Sequence, residues 1–169
     1  YVSINDVTTD AGKNIYVTGT HAGNTDFDPG SGVASQISLG SSSNIFVAKY
    51  DSNGNYLWAH TCGSSGNTDA GYSINVDAMN NVIVGGHFTG TAYFDPLSSA
   101  AGQIQAISSL DAFVAKYDQQ GNFLWVKGWD ASKCWEVTTD AIGSVYVFSE
   151  FVNTFDADPG TGIFNVSSA

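Results

Sequence analysis

Short apolar runs separated by turn residues set the pattern of this sequence. Residues 15–17, 82–84 and 145–147 are apolar at consecutive positions, and so are residues 45–48 and 112–115. Runs of this length predict β-strands, and continuous apolar character is typical of strands that are covered on both faces. No stretch has a sustained 3.6-residue apolar period, so we expect little or no helix.

The apolar runs belong to an internal repeat. The string FVAKYD at residues 46–51 returns at 113–118, and GNYLW at 54–58 returns as GNFLW at 121–125, both after 67 residues. Two further elements recur three times in the same order, with shifts of 67 and then 63 residues. Their anchor residues are Asp10, Asp77 and Asp140 for the first element, and Asp28, Asp95 and Asp158 for the second. Such self-similarity is the signature of a repeat architecture.

Each unit is predicted to hold four strands. In the second unit they fall near residues 72–77, 81–88, 112–117 and 123–128, and a long loop at 89–111 holds a short extra strand near 103–107. Four strands per unit predict one blade of a β-propeller. A blade has a neighbour on each face, which explains the continuous apolar runs better than a two-layer sandwich does.

The predicted fold is therefore all-β, a β-propeller of four-stranded antiparallel blades with about two and a half blades in an open ring. We assign residues 1–71 to the first blade, 72–134 to the second and 135–169 to a partial third. Such an array leaves apolar faces and strand edges uncovered. We expect further blades of a longer chain, or neighbouring copies in an assembly, to cover them.

Composition narrows the class of function. Hydrophobic residues make up 43% of the chain and charged residues 12%. The five basic residues are all lysines, against 16 acidic residues, and the net charge is −11. So few basic side chains argue against a nucleic-acid partner. No stretch approaches the length of a membrane-spanning segment.

The repeat units resemble the β-propeller repeat of secreted bacterial proteins, the SBBP type. The matching strings are FVAKYDSNGNYLW at 46–58, GSSGNTDAGYSINVDA at 63–78, DAFVAKYDQQGNFLW at 111–125, and NIYVTG and TDFDPG at 14–19 and 25–30. The resemblance covers essentially the whole chain. It implies a propeller fold and an extracellular or cell-surface location, but no activity.

The Asp-Pro-Gly element offers a candidate metal site. Asp26, Asp28, Asp156 and Asp158 supply oxygen ligands one strand step apart, a pattern that could bind Ca²⁺. The alternative, which we favour, is a turn in which Pro sets φ and Asp caps a backbone amide. Tyr93 replaces the first Asp in the second unit and weakens the calcium hypothesis there.

Other polar residues favour structural roles. The runs that begin at Asp51 and Asp118 resemble calcium loops, but they lack a distal bidentate Glu and lie between strand-like runs, so we expect hairpin turns. The three histidines, His21, His60 and His87, are scattered rather than convergent. Glu150 is a unique acid at the register of Thr20 and His87, which can mark a site, although surface variation explains it as well. Cys62 and Cys134 differ in register, and we expect no disulfide between them.

No catalytic constellation stands out, so we predict a non-enzymatic segment of an exported or cell-surface propeller with a binding or structural role. Its partner would be a protein or a glycan, reached through loops at one end of the blades, and stacking aromatic residues there would favour a glycan. One alternative is a non-catalytic region of a larger secreted enzyme. A weaker one is an extracellular assembly that recruits its neighbour through an open edge strand.

Overall fold

The structure is a computed structural model that describes residues 1–40, 42–66, 68–97, 100–130, 133–151, 154–156 and 165–167, and for residues 155, 156 and 166 the backbone alone. These residues fold almost entirely as antiparallel β-sheet, with a single 3-10 turn at Ala100–Gly102. The all-β prediction is confirmed.

Sixteen strands lie in the described residues. They are β1 Val2–Thr9, β2 Ile15–His21, β3 Asn24–Asp26, β4 Ser35–Ile37, β5 Asn44–Tyr50, β6 Tyr56–Ser64, β7 Ala70–Val76, β8 Val82–Phe88, β9 Thr91–Tyr93, β10 Gln103–Gln105, β11 Asp111–Tyr117, β12 Phe123–Trp129, β13 Lys133–Thr139, β14 Val145–Glu150, β15 Thr154–Asp156 and β16 Asn165–Ser167.

The second repeat forms a four-stranded sheet in the order β12-β11-β8-β7, which we call the second blade. Its four strands lie within two residues of the predicted positions, and the extra strand expected near 103–107 is β10. Every residue of β8 and β11 is buried, as the continuous apolar runs predicted.

The first repeat forms the same arrangement, β1-β2-β5-β6, which we call the first blade. The sheet is wider than the predicted four strands because the end of β6 pairs with β9 across to the second repeat: Gly63 lies opposite Tyr93, and Ser64 opposite Ala92. Strand β9 in turn pairs with β10, so the sheet reaches six strands.

The third repeat contributes the hairpin β13-β14, which we call the third blade, and a separate pair, β15-β16. The assigned repeat boundaries after residues 71 and 134 fall inside β7 and β13, one or two residues past the start of each strand. The division into repeats itself stays a prediction.

The blades pack face to face through their inner strands. Strand β1 packs against β7, and β7 packs against β13. A large core lies between the first and second blades, and a smaller one between the second and third. The first contains Tyr16, Ile45, Val47, Cys62, Ile74, Val82, Val84, Phe88, Ala92, Phe94, Phe113, Ala115 and Tyr117, and the second contains Ile83, Ala112, Val114, Cys134 and Val137.

The two outer faces of this stack are uncovered. On the first blade, Val2, Ile4 and Val7 are 44%, 66% and 58% exposed, and on the third blade Tyr146 and Phe148 are 55% and 65% exposed. The described residues do not close a ring. The part of the chain that the structure describes contains no apolar helix long enough to cross a membrane.

Candidate functional site

The aspartate runs that resemble calcium loops are hairpin turns. Asp118 Oδ1 accepts hydrogen bonds from the backbone N–H groups of Gln120 and Asn122 at 2.8 and 2.9 Å, and its Oδ2 accepts one from Asn122 Nδ2. Asp51 makes the same three bonds with Asn53 and Asn55. Burial acts to raise the pKa of Asp118, but these bonds outweigh it and lower the pKa. The carboxylates therefore serve the turns.

The predicted calcium residues divide between described and undescribed parts of the chain. Asp26 Oδ1 accepts the backbone N–H groups of Asp28 and Ala34 at 3.0 and 2.8 Å, and Asp28 Oδ1 accepts that of Gly30 at 2.7 Å. These bonds are typical of the turn alternative. Asp158 and the side chain of Asp156 lie outside the described residues.

Calcium binding stays a prediction. Among the described residues, no group of three or more His, Cys, Asp or Glu side chains is arranged to hold a metal ion.

The histidines do not converge on one site. His21 is fully buried, and its ring nitrogens lie 3.2 Å from Thr25 Oγ1 and 2.8 Å from Thr61 Oγ1. His60 stacks on Trp58 with ring centroids 5.0 Å apart. Burial lowers the pKa of all three imidazoles, so the neutral form is favoured.

Both cysteines are buried as free thiols. Cys62 Sγ lies 3.1 Å from Tyr117 Oη, at the junction of the first and second blades. Burial raises the pKa of the Cys62 thiol to about 12, and that of Cys134 likewise to about 12. A thiol held neutral in this way is a poor nucleophile, which argues for packing roles.

A cluster of aromatic and charged side chains joins the second and third blades. The rings of Tyr72 and Trp135 stack with centroids 4.9 Å apart and an interplanar angle of 27°. Lys133 Nζ lies 4.8 Å from the Trp135 centroid and 5.9 Å from that of Tyr72. Trp135 Nε1 donates to Glu150 Oε2 at 3.1 Å. With His87, whose ring centroid is 5.3 Å from that of Tyr72, we call these five residues the Tyr72–Trp135 cluster.

Matching β-bulges put the two rings in register. In each inner strand one residue is skipped in the pairing: Asn5 in β1, Tyr72 in β7 and Trp135 in β13. A bulge re-aims the side chain of the extra residue, which would otherwise point into a blade junction. Neighbouring bulges therefore bring residues 63 positions apart into contact.

The cluster is accessible and chemically mixed. Trp135 is 40% exposed, while His87 is only 6% exposed. His87 Nε2 lies 3.2 Å from the Thr68 carbonyl oxygen, and its Nδ1 has no hydrogen-bond partner among the described residues. An exposed Trp ring thus stacks on a half-buried Tyr beside a cation and a carboxylate, and Trp and Tyr are the aromatic residues enriched at protein interfaces.

Glu150 and His87 were noted as candidates in the sequence, but nothing in it connected them with Tyr72, Lys133 or Trp135. The sequence signal that could have connected them is the aromatic residue at the bulge, because Tyr72 and Trp135 occupy equivalent positions in repeats that have little other identity there. Pairing register, which the sequence does not state, is what brings them together.

Comparison with known proteins supports the repeat fold. The chain is 38% identical over 93 residues to an uncharacterized WD repeat-containing protein of Acanthamoeba polyphaga mimivirus, a match that covers 50% of this chain and 7% of that protein. No protein-family model matches the sequence. The chain thus spans a small part of this relative's length.

The similarity and the antiparallel sheets together support a β-propeller-type repeat. The units here, at 67 and 63 residues, are longer than the roughly 40–45 residues of a WD repeat. The extra length lies in the β3-β4 and β9-β10 hairpins between the second and third strands of a blade. The finer assignment to the SBBP type stays a proposal.

Proposed function

We propose that this chain is part of an exported or cell-surface β-propeller that binds a glycan or a protein through the Tyr72–Trp135 cluster. The resemblance to SBBP-type repeats supports the location. The observation that carries the binding role is the stack of Tyr72 on Trp135, 4.9 Å between centroids, at an accessible blade junction. An isolated exposed aromatic residue is ordinary, but a stacked pair with charged groups at its rim is a recognisable binding surface.

The charges around the stack suit a polar ligand. Lys133 Nζ lies over the Trp135 ring, and Glu150 accepts the hydrogen bond from the indole Nε1, so a cation and a carboxylate both adjoin the exposed ring. Sugars present both C–H faces and hydroxyl groups, so they match this combination, and so do protein segments that carry aromatic and charged residues.

The test is binding of the intact chain to a printed array of defined oligosaccharides. We expect Trp135→Ala to lose the signal of any bound glycan at least tenfold, because truncation of an aromatic anchor costs about 2 kcal/mol or more. Ile142→Ala is the matched control: Ile142 is 87% exposed at the far turn of the same hairpin. Equal loss in both variants would contradict the proposed site.

Calcium would be an accessory to this function. A chelator that lowers the melting temperature of the chain by more than a few degrees would support a metal at Asp26 and Asp28, and an unchanged melting temperature would refute it. Asp26→Asn is the matched variant, because it keeps the side-chain shape and removes the charge that a calcium ion needs.

A further inference from the structure

At each blade junction, one residue from each blade lies at a position of very close approach. The bulges fix which positions correspond in the three repeats: Ile4, Gly71 and Cys134 each end the first paired segment of an inner strand. In the second strand of each blade, the residue that pairs with the first position after the bulge is Thr18, Gly85 or Phe148. We call the first set the acceptor positions and the second set the donor positions, where both terms refer to packing between blades and not to hydrogen bonds.

At the junction of the first and second blades, the acceptor is glycine and the donor is larger. A Cβ atom on Gly71 would overlap Thr18 Oγ1 and lie 3.3 Å from Ile45 Cγ2. Gly71 is not among the residues with positive φ, so close approach rather than backbone conformation requires glycine there.

At the next junction the sizes are reversed. The donor is now Gly85, on which a Cβ would lie 2.6 Å from Cys134 Sγ and 2.7 Å from Val137 Cγ1. Cys134, the acceptor, is fully buried against it. Each junction thus combines one glycine with one larger side chain, as interdigitated packing requires.

The uncovered face of the first blade is built like the covered face of the second. Tyr50 Oη donates to the Phe27 carbonyl oxygen at 3.0 Å, as Tyr117 Oη donates to that of Phe94 at 2.9 Å. Tyr117 is covered by the first blade, whereas Tyr50 lines an apolar cleft of about 400 Å³. We call this cleft the blade-1 cleft; its apolar lining is formed by Val2, Ile4, Val17, Phe27, Phe46 and Tyr50, and Asp26 and Asp28 also line it.

We propose that the blade-1 cleft binds the sheet face of another blade of this repeat type, one that carries glycine at the donor position. The acceptor in the cleft is Ile4, which is 66% exposed, so the rule of one glycine and one larger residue assigns glycine to the incoming blade. The open donor face of this chain carries Phe148 instead, so a second copy does not fit: both facing residues would be large.

The size rule can be tested inside the chain by rebuilding the proposed pair at the covered junction. Gly71→Ile alone should lower the melting temperature by about 5–10 °C through overpacking. The Thr18→Gly background already lacks the hydrogen bond from Thr18 Oγ1 to the Phe46 carbonyl oxygen, so the loss of that bond does not enter the comparison. In this background, Gly71→Ile should lower the melting temperature by no more than about 2 °C. An equal loss in both backgrounds would overturn the rule.

Docking itself is tested by sedimentation velocity of the intact chain over a concentration series. The wild-type chain should stay monomeric, and Phe148→Gly should gain head-to-tail association, because it offers a glycine donor to Ile4 of the next copy. Adding Ile4→Gly to that variant should weaken the association, since two glycines leave a void. Ile142→Gly on the same hairpin is the control. Self-association of the wild type, or none in Phe148→Gly, would overturn the proposal.

Discussion

At the residue scale, one turn design recurs five times with different residues at its strained position. Each turn begins with an Asp whose carbonyl accepts the N–H three residues later. The residue that donates lies in the left-handed region, and the five are Lys13, Gly54, Asn80, Gly121 and Gly143, with φ between 62° and 89°. Glycine adopts this region freely, Asn tolerates it, and Lys does not. Lys13 is therefore the least suitable residue in the series.

Replacing Lys13 with glycine should stabilise the chain. We expect Lys13→Gly to raise the free energy of unfolding by about 0.5–1 kcal/mol, because the strain of a left-handed Lys exceeds the entropy that glycine loses on folding. Urea denaturation measures it. Asn80→Gly is the matched comparison and should gain less, and a loss of stability in Lys13→Gly would contradict the turn geometry.

At the element scale, strands could be predicted from the sequence but pairing irregularities could not. The four strands of the second blade were predicted within two residues, because consecutive apolar residues mark buried strands. The three-residue strands β3, β4 and β9 were missed, since they are too short to show a pattern. The Tyr72–Trp135 cluster was missed because it depends on two bulges, and a bulge leaves no periodic signal in the sequence.

Two hairpin turns of equal geometry separate backbone strain from blade packing. Gly54 and Gly121 both have φ of 84°, but a Cβ on Gly54 would meet nothing within 4 Å, while one on Gly121 would lie 2.6 Å from His60 Nε2. We expect Gly54→Ala to cost about 1 kcal/mol and Gly121→Ala about 2–4 kcal/mol. Chemical denaturation of both variants measures the loss in free energy of unfolding. Equal losses would mean that the β11-β12 hairpin, which holds Gly121, does not pack against the first blade.

At the scale of the whole molecule, stability rests on blades that cover one another, and buried ionisable groups make it sensitive to pH. The core between the first and second blades is the larger of the two inter-blade cores, and the third blade is the least covered. His60 and His87 lie at these junctions, and His21 packs against Phe27 and Phe46 on the outer face of the first blade. Burial lowers the pKa of each imidazole. Protonation therefore favours the unfolded chain, in which the imidazole is solvated.

Stability should fall in two stages as the pH is lowered. For a histidine whose folded pKa is depressed, the stabilisation is complete above the unfolded value of about 6.5 and is lost as the pH falls below it. The second stage, below about pH 4, comes from aspartates whose pKa is lowered despite burial. Turn hydrogen bonds lower the pKa of Asp10 and Asp118, and for Asp77 the ion pair with Lys116 at 2.8 Å does so before the turn hydrogen bonds. Asp69 acts against this loss of stability, because burial raises the pKa of its carboxyl and protonation of that group favours the folded chain.

Thermal unfolding across a pH series tests these stages. We expect the melting temperature to begin falling below about pH 6.5 and to fall again below about pH 4. Replacing His60, which stacks on Trp58, by Phe should reduce the first stage and leave the second unchanged. A melting temperature that is constant from pH 7 to pH 5 would contradict the buried, neutral histidines.

Amide hydrogen exchange of the intact chain tests the stacking of blades most directly. We expect β8 and β11 to exchange slowest, because they are internal strands of the second blade and every residue in them is buried between two neighbouring blades. Strand β14, which pairs only with β13 and leaves Tyr146 and Phe148 exposed, should exchange fastest of the long strands. Exchange of β8 and β11 as fast as that of β14 would refute the stacked arrangement, because the second blade would then not be covered on both faces.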